Sequence, residues 1–260
     1  MNETNEIRRP LTISIVGKGG SGKTIITTLI AKSISKNYNY KILLIDADPT
    51  HPHLSHMVNL IPEKSLEKLR TEVIDDILTK ATNFEKVAEN IDYEVYNAIA
   101  ENKEFSLFSI GQPEGPGCFC PSNALLRKVI GSISKDFDIV LIDCEAGLEQ
   151  INRMVIEKVD ILLIVSDISM RSIETAAAIR ESADKFTQYK KLNLILNRVK
   201  GNTNQIKKKL KDLKLPLLGE IPEDVTISEF ELKGKPIIDL PENSKSYVVI
   251  SNLVQSILDL

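Results

Sequence analysis

The sequence predicts a doubly wound α/β fold, with a mostly parallel sheet of about seven strands and helices on both faces. Three observations predict it: short runs of Val, Ile and Leu recur, helical segments separate most of them, and glycines or acids follow several runs. Parallel strands are buried on both faces and joined by helical crossovers, so such runs and helices alternate. Ligands of this fold bind at the carboxyl ends of the strands, so residues just after each run are the functional candidates.

The strands are predicted at Leu11–Val16, Lys41–Asp46, Phe105–Ile110, Asp138–Asp143, Asp160–Ser166, Leu192–Asn197 and Leu215–Gly219. Helical periodicity marks Lys23–Ser35 and Ser172–Phe186, and Tyr247–Leu258 is predicted to be a helix packed on the sheet. Residues at about 61–104 interrupt this alternation and are predicted to be a helical excursion. No linker rich in Pro, Gly or Ser divides the chain, so we expect a single domain over residues 1–260.

The composition is that of a soluble globular protein: 260 residues, 42% hydrophobic and 27% charged. A net charge of −3 provides no general attraction to nucleic acid or to an anionic membrane, so neither partner is expected. The basic run Lys207–Lys211 is interpreted as a solvated helix face. The polar N-terminus lacks the apolar run of a signal peptide, and no stretch approaches the ~20 apolar residues of a membrane span. We therefore expect a cytoplasmic protein without a membrane span.

The most specific motif lies between the first predicted strand and helix, where the sequence matches G-x-x-x-x-G-K-S/T. Its glycines let backbone N–H groups surround a β-phosphate, and the following helix presents its positive end to the anion. Lys23 would bridge the β- and γ-phosphates, and the Thr24 hydroxyl would ligate Mg²⁺. The expected phosphate-side residues are Gly17, Lys18, Gly19, Gly20, Ser21, Gly22, Lys23, Thr24 and Thr27.

Acids follow two of the predicted strands. Asp46 and Asp48 end the second run, and Asp143 ends the Asp138–Asp143 run, which reads as a Walker B strand. Acids at strand ends also serve as simple helix caps. Beside a phosphate loop on the same sheet edge, however, they indicate a magnesium and nucleotide site.

The early lysine of the loop narrows the family. With Lys18, the loop resembles the deviant Walker A loop of the MinD/ParA and nitrogenase iron-protein group of P-loop ATPases. The resemblance implies an ATPase that forms a homodimer, in which Lys18 reaches the partner's nucleotide. The simpler alternative leaves Lys18 exposed near the phosphates. The resemblance further implies that Lys23 is catalytic, that Asp48 lies near the attacking water, and that Asp143 holds the Mg²⁺ shell through water.

The same resemblance suggests the base contacts. Asn197 and Arg198 resemble the Asn-Lys or Asn-Arg pair with which the family contacts adenine, and Pro222 and Glu223 lie in a segment that resembles the loop flanking the base. Residues 144–147, which follow Asp143, would form the family's second switch, with Gly147 as its pivot.

The segment that begins at Asp48 corresponds to the family's first switch, and its sequence departs from the family pattern. Pro52 stands where relatives often carry Asp or Asn, which puts the contribution of this loop to Mg²⁺ or water positioning in doubt. The three histidines of the chain, His51, His53 and His56, crowd the same segment. They are either part of a solvated loop or a site that holds or transfers a transition metal.

A pair of cysteines, Cys118 and Cys120, precedes a helix predicted to begin at about Pro121. A helix start favours thiolate, and in extended chain residues two apart point to one side. Two sulfurs do not complete a soft-metal site, but a two-fold axis would supply two more from a partner and produce a Cys₄ site. The alternative is two buried apolar cysteines near a turn. Cys144 has no neighbouring thiol in the sequence and is assigned to packing.

The segments 117–127 and 143–153 resemble most closely the CooC family, the accessory ATPases of carbon monoxide dehydrogenase maturation. That resemblance implies that Cys118 and Cys120 bind Ni²⁺ or Zn²⁺ between subunits. It also implies that ATP is tied to loading nickel into a client such as carbon monoxide dehydrogenase/acetyl-CoA synthase. One alternative is a reductase with a bridging [4Fe–4S] cluster, although the second cluster cysteine has no counterpart near residue 150. Another is a ParA/MinD-type positioning ATPase, which leaves the cysteine pair without a role.

Overall fold

The computed structural model describes residues 10–48, 53–69, 71–72, 93–111, 131, 133–144 and 158–259. Within these ranges no helix is both long and apolar enough to cross a bilayer.

The described residues form a sheet of eight strands in the order β3-β4-β2-β5-β1-β6-β7-β8. The strands are β1 (Leu11–Gly17), β2 (Ile42–Ala47), β3 (Ala100–Glu101), β4 (Ser106–Ser109), β5 (Ile139–Cys144), β6 (Lys158–Ser166), β7 (Gln188–Val199) and β8 (Leu217–Pro222). All neighbours pair in parallel except β3 and β4. The predicted fold class and the seven predicted strands are confirmed. The eighth strand, β3, has only two residues at the sheet edge and is too short to leave an apolar run.

Helices connect the strands on both faces of the sheet. They are α1 (Lys23–Asn37), α2 (Leu54–Met57), α3 (Met170–Phe186), α4 (Asn204–Asp212), α5 (Val225–Leu232) and α6 (Lys245–Leu258). In the predicted excursion, residues 66–69 and 93–97 are helical. On α4, Lys208 and Lys211 are exposed while Leu210 is buried, as expected of a solvated helix face.

Two apolar layers cover the sheet because successive side chains of a strand point to opposite faces. Ile13 and Ile15 of β1 pack in the layer that contains α1 and α6, and Val16 packs in the layer that contains α3. Tyr247 and Ile250 of α6 are buried in the first layer, which confirms the predicted packed helix. Because both faces of the central strands are covered, their polar chemistry concentrates at the carboxyl ends.

Candidate functional site

The predicted phosphate loop, residues 17–24, joins β1 to α1 and lies against residues of β6 and β7. A Cβ on Gly17 would lie 2.2 Å from the carbonyl oxygen of Val165 on β6, and one on Gly22 would lie 2.4 Å from Nδ2 of Asn197 on β7. Gly22 also has a φ of 93°, in the left-handed region that favours glycine. Side chains at these two positions would push the loop away from the sheet, so the glycines fix where the loop lies.

The polar groups of the loop residues are suited to binding an anion. The backbone N–H of Ser21 donates to the carbonyl of Lys18 at 3.2 Å, and Nζ of Lys23 donates to the same oxygen at 3.3 Å. The Ser21 hydroxyl is buried, and among the described residues it has no hydrogen-bond partner. The loop therefore brings an ammonium group and an unused hydroxyl together at the positive end of α1, which is the chemistry that binds phosphate.

The predicted Walker B aspartate lies behind this loop. Burial raises the pKa of Asp143 to about 6, while Thr24, Lys23 and Thr27 act in the opposite direction through hydrogen bonds and charge. The fully buried Thr27 hydroxyl is 3.3 Å from Oδ1 of Asp143 and 3.0 Å from the Lys23 carbonyl, and its single hydrogen can be donated to either oxygen. The structure thus brings the predicted Mg²⁺ residues Thr24 and Asp143 together, and places Thr27 where it orients the carboxylate.

Asp46 pairs in register with Asp143 across β2 and β5, and is fully buried. Its Oδ1 accepts from the backbone N–H of Asp48 at 3.1 Å, and its Oδ2 accepts from that of Leu54 at 3.0 Å. Burial, reinforced by the negative charge of Asp143, raises the pKa of Asp46 to about 7. Asp46 therefore links the two ends of the first switch and fixes the backbone of Asp48. It is absent from the predicted catalytic residues, although the Asp-x-Asp pattern was a signal for it.

The predicted adenine pair contacts the phosphate loop in this structure. Nδ2 of the buried Asn197 donates to the carbonyl of Ser21, and its Oδ1 accepts from the backbone N–H of Arg198, both at 2.9 Å. Arg198 has a φ of 55°, rare for a residue with a Cβ, and its Nη1 donates to the carbonyl of Gly20 at 3.3 Å. β7 therefore supports the loop through both residues, a role that sequence spacing does not reveal.

A cavity of about 270 Å³ opens beside this support. All four residues predicted to contact the base, Asn197, Arg198, Pro222 and Glu223, line it, together with residues of α1 and α5. Their convergence next to the phosphate loop fits a nucleoside, and base contact by these four stays a prediction.

Some of the other residues predicted to have a functional role lie within the described part of the chain, and some lie outside it. Lys18 is half-buried in the loop, and Asp48 follows β2. His53 and His56 are exposed at α2. The described ranges contain no group of three or more His, Cys, Asp or Glu side chains arranged to hold a metal. The positions outside the described residues are His51, Pro52, Cys118, Cys120, the helix expected from Pro121, and Gly147.

Cys144 is described and fully enclosed. Its Sγ lies 3.2 Å from the Ser14 hydroxyl oxygen, and burial raises the pKa of the thiol to about 12. The thiol is therefore protonated at neutral pH, which agrees with its assignment to packing.

Residues 13–237 match the family model described as CbiA, the CobQ/CobB/MinD/ParA nucleotide binding domain. The chain belongs to this family. An uncharacterized ATP-binding protein of Methanocaldococcus jannaschii is 34% identical over 254 residues, which cover 96% of this chain and 99% of the relative. The carbon monoxide dehydrogenase accessory protein CooC of Rhodospirillum rubrum is 29% identical, over 95% of this chain and 97% of the relative.

Solved structures agree with the fold. The cell division ATPase MinD of Pyrococcus furiosus has a TM-score of 0.67 and 24% identity, covering 96% of this chain and 98% of that one. A ParA family ATPase of Chlorobium tepidum has a TM-score of 0.71 and 17% identity, covering 95% and 98%. The expected MinD/ParA resemblance is confirmed, and the loop described above stays the predicted nucleotide-binding element.

Proposed function

We propose that this chain hydrolyses ATP to ADP and phosphate as a nucleotide-dependent homodimer, and that it is a metallochaperone for a nickel enzyme. The observation that carries the ATPase part is the meeting of Lys23, Thr24 and Asp143 at one glycine-rich loop. The metallochaperone part rests on the Cys118-x-Cys120 motif and on the similarity to CooC over nearly the full length of both chains.

The oxygen donors at the loop fit Mg²⁺. The hydroxyl of Thr24 is a hard ligand, and the carboxylate of Asp143, which would hold the Mg²⁺ shell through water, lies with it beside the phosphate cradle. When bound, Mg²⁺ would neutralise phosphate charge as it develops during phosphoryl transfer. Lys23 would hold the β- and γ-phosphates, and Asp48 would orient the attacking water. We expect Lys23→Ala to abolish ATP binding, whereas Asp48→Asn should retain binding and lose at least tenfold in kcat.

Dimerisation would depend on Lys18. This residue immediately follows β1 and is half-buried in the loop. Its side chain would reach the nucleotide held by a second copy. Sedimentation of Lys18→Ala with a non-hydrolysable ATP analogue and Mg²⁺ tests this role. The exposed Lys208 of α4 provides a control of the same charge, Lys208→Ala. The loss of the ATP-dependent dimer in the first variant alone supports the proposal, and a normal dimer in Lys18→Ala contradicts it.

The cargo would be Ni²⁺ or Zn²⁺ held by Cys118 and Cys120 from both subunits. ATP binding, by drawing the subunits together, would then change metal affinity, and by linkage metal would change ATP affinity equally. Cys118→Ala or Cys120→Ala should remove about one metal ion per dimer. Cys144→Ala, which changes a buried thiol elsewhere, should retain it.

Anaerobic metal analysis distinguishes the alternatives. A brown protein that contains iron and sulfide would contradict the chaperone proposal in favour of a reductase with a [4Fe–4S] cluster. A protein that binds neither Ni²⁺ nor Zn²⁺ but associates with DNA or lipid vesicles when ATP is present would favour a positioning ATPase.

A further inference from the structure

One wall of the cavity beside the phosphate loop is a helix with little hydrophobic anchoring. α5 contributes Ile227, Ser228 and Glu231 to the lining. None of its eight residues is buried, and its apolar contact with the core consists of the partly buried Ile227 and Phe230. Most helices in proteins are held by a buried apolar face. The position of α5 must therefore depend heavily on its ends.

The N-terminal end of α5 is held by Asp224, a residue that is only 7% exposed. Its Oδ1 accepts from the backbone N–H of Thr226 at 2.9 Å, which caps α5. Its Oδ2 accepts from the backbone N–H of Ser246 at 2.9 Å and from the hydroxyl of Ser244 at 2.7 Å. One carboxylate thus serves the first turns of both α5 and α6, where a negative charge also stabilises the helix dipoles.

The same group is connected to the sheet. Asp224 follows β8 by two residues, and the hydroxyl of Ser246 donates to the carbonyl of Pro222 at 3.3 Å. Pro222, Asp224 and Ser246 all line the cavity. Burial raises the pKa of Asp224, but the hydrogen bonds from Ser246, Ser244 and Thr226 outweigh it and lower the pKa below the usual range. The carboxylate is therefore ionised at neutral pH and accepts all three bonds.

We propose that Asp224 is a positioning residue for the base side of the nucleotide site. By holding the starts of α5 and α6 at the end of β8, it fixes the α5 wall of the cavity that Asn197 also lines. It therefore contributes to the affinity for the nucleoside rather than for the phosphates. The inference rests on the proposed nucleotide function, but it is independent of the metal proposal.

The test compares two ligands of the full-length protein. The probes are AMPPNP with Mg²⁺, measured by calorimetry, and tripolyphosphate with Mg²⁺, measured by displacement of a fluorescent ATP analogue. Asp224→Ala should weaken AMPPNP binding about tenfold and change tripolyphosphate binding less than twofold. Asp224→Asn keeps one acceptor oxygen and should recover part of the loss. Ser169→Ala, which removes the cap of α3 on the other face of the sheet, should leave both affinities unchanged.

Three outcomes would overturn the inference. Equal weakening of both ligands would mean that Asp224 acts on the domain as a whole. Unchanged AMPPNP affinity in folded Asp224→Ala would mean that the wall does not depend on it. Failure of the wild-type protein to bind AMPPNP at all would overturn the proposed function first, and this inference with it. If Asp224→Ala does not fold, the affinities for AMPPNP and for tripolyphosphate are measured on Asp224→Asn instead. A selective loss of AMPPNP affinity in that variant supports the inference, and an equal loss of both affinities contradicts it.

Discussion

Asn197 offers the sharpest test of how β7 supports the phosphate loop. Its side chain is 6% exposed and makes two hydrogen bonds of 2.9 Å, to the Ser21 carbonyl and from the Arg198 N–H. Asn197→Ala removes both bonds and opens space beside Gly22, whose Cα faces the amide. The loop would keep its sequence and its contact with Arg198 but lose the hydrogen bond from β7 to the Ser21 carbonyl.

The loss of stability expected for Asn197→Ala follows from the number of backbone polar groups that it leaves without a hydrogen-bond partner. A protein hydrogen bond contributes about 1 kcal/mol net, and a buried group without a partner costs about 1–3 kcal/mol. Because some of this cost is relieved when the loop relaxes toward solvent, we expect the free energy of unfolding to fall by about 2 kcal/mol. If about half of that loss, about 1 kcal/mol, is borne by the binding-competent loop, the ATP affinity falls about fivefold.

The assay measures AMPPNP and tripolyphosphate affinity together with urea denaturation. Because the loop cradles phosphates, Asn197→Ala should weaken the binding of tripolyphosphate as well as that of AMPPNP, unlike Asp224→Ala. The half-buried Asn193, four residues earlier on β7, provides the matched control Asn193→Ala. A loss of AMPPNP affinity with unchanged tripolyphosphate affinity in Asn197→Ala would refute the role as a loop support and leave only the predicted contact with the base.

Three other predictions concern the switch, the first helix and pH. Asp46→Asn should lower kcat at least tenfold while the Kd for AMPPNP stays within about threefold, because one of the two bonds that fix the first switch is lost; equal changes in kcat and Kd would contradict it. Nζ of the buried Lys32 donates to the carbonyls of Ile238 and Leu240 at 2.6 and 2.5 Å, so Lys32→Met should lower the free energy of unfolding by about 1–3 kcal/mol in urea. Burial raises the pKa of Asp160, but hydrogen bonds from Lys190 and Thr12 outweigh it and lower the pKa below 3.8. Its stabilisation is therefore complete above that pH and lost below it, so Asp160→Asn should flatten the acid limb of the stability profile, and an unchanged limb would contradict this.

The sequence was sufficient for the elements whose signal is local. The apolar runs predicted seven strands because buried parallel strands need continuous Val, Ile and Leu, and the phosphate loop was predicted because its glycines and Lys23 are consecutive. β3 escaped because a two-residue antiparallel edge leaves no pattern. The strand-end position of Asn197 indicated the nucleotide site, but its partner in the phosphate loop is 176 positions away in the chain.

The positioning roles of Asp46 and Asp224 could not be predicted from sequence spacing, for a related reason. Asp46 and Asp224 each accept hydrogen bonds from backbone N–H groups, which every residue except proline carries, so the sequence holds no mark of the partner. Asp224 could be identified as a residue near the base loop, but its connection to α6 appears only when the two helix starts meet in three dimensions.

In the proposed mechanism, ATP unites two copies of the chain around one Ni²⁺ or Zn²⁺ ion. Native mass spectrometry of the protein with AMPPNP, Mg²⁺ and Ni²⁺ or Zn²⁺ measures chain number, nucleotide number and transition-metal number together. The proposal predicts a species with two chains, two nucleotides and one Ni²⁺ or Zn²⁺ ion, which the Cys118→Ala variant forms without that ion. A single chain that binds nucleotide and transition metal independently would contradict it.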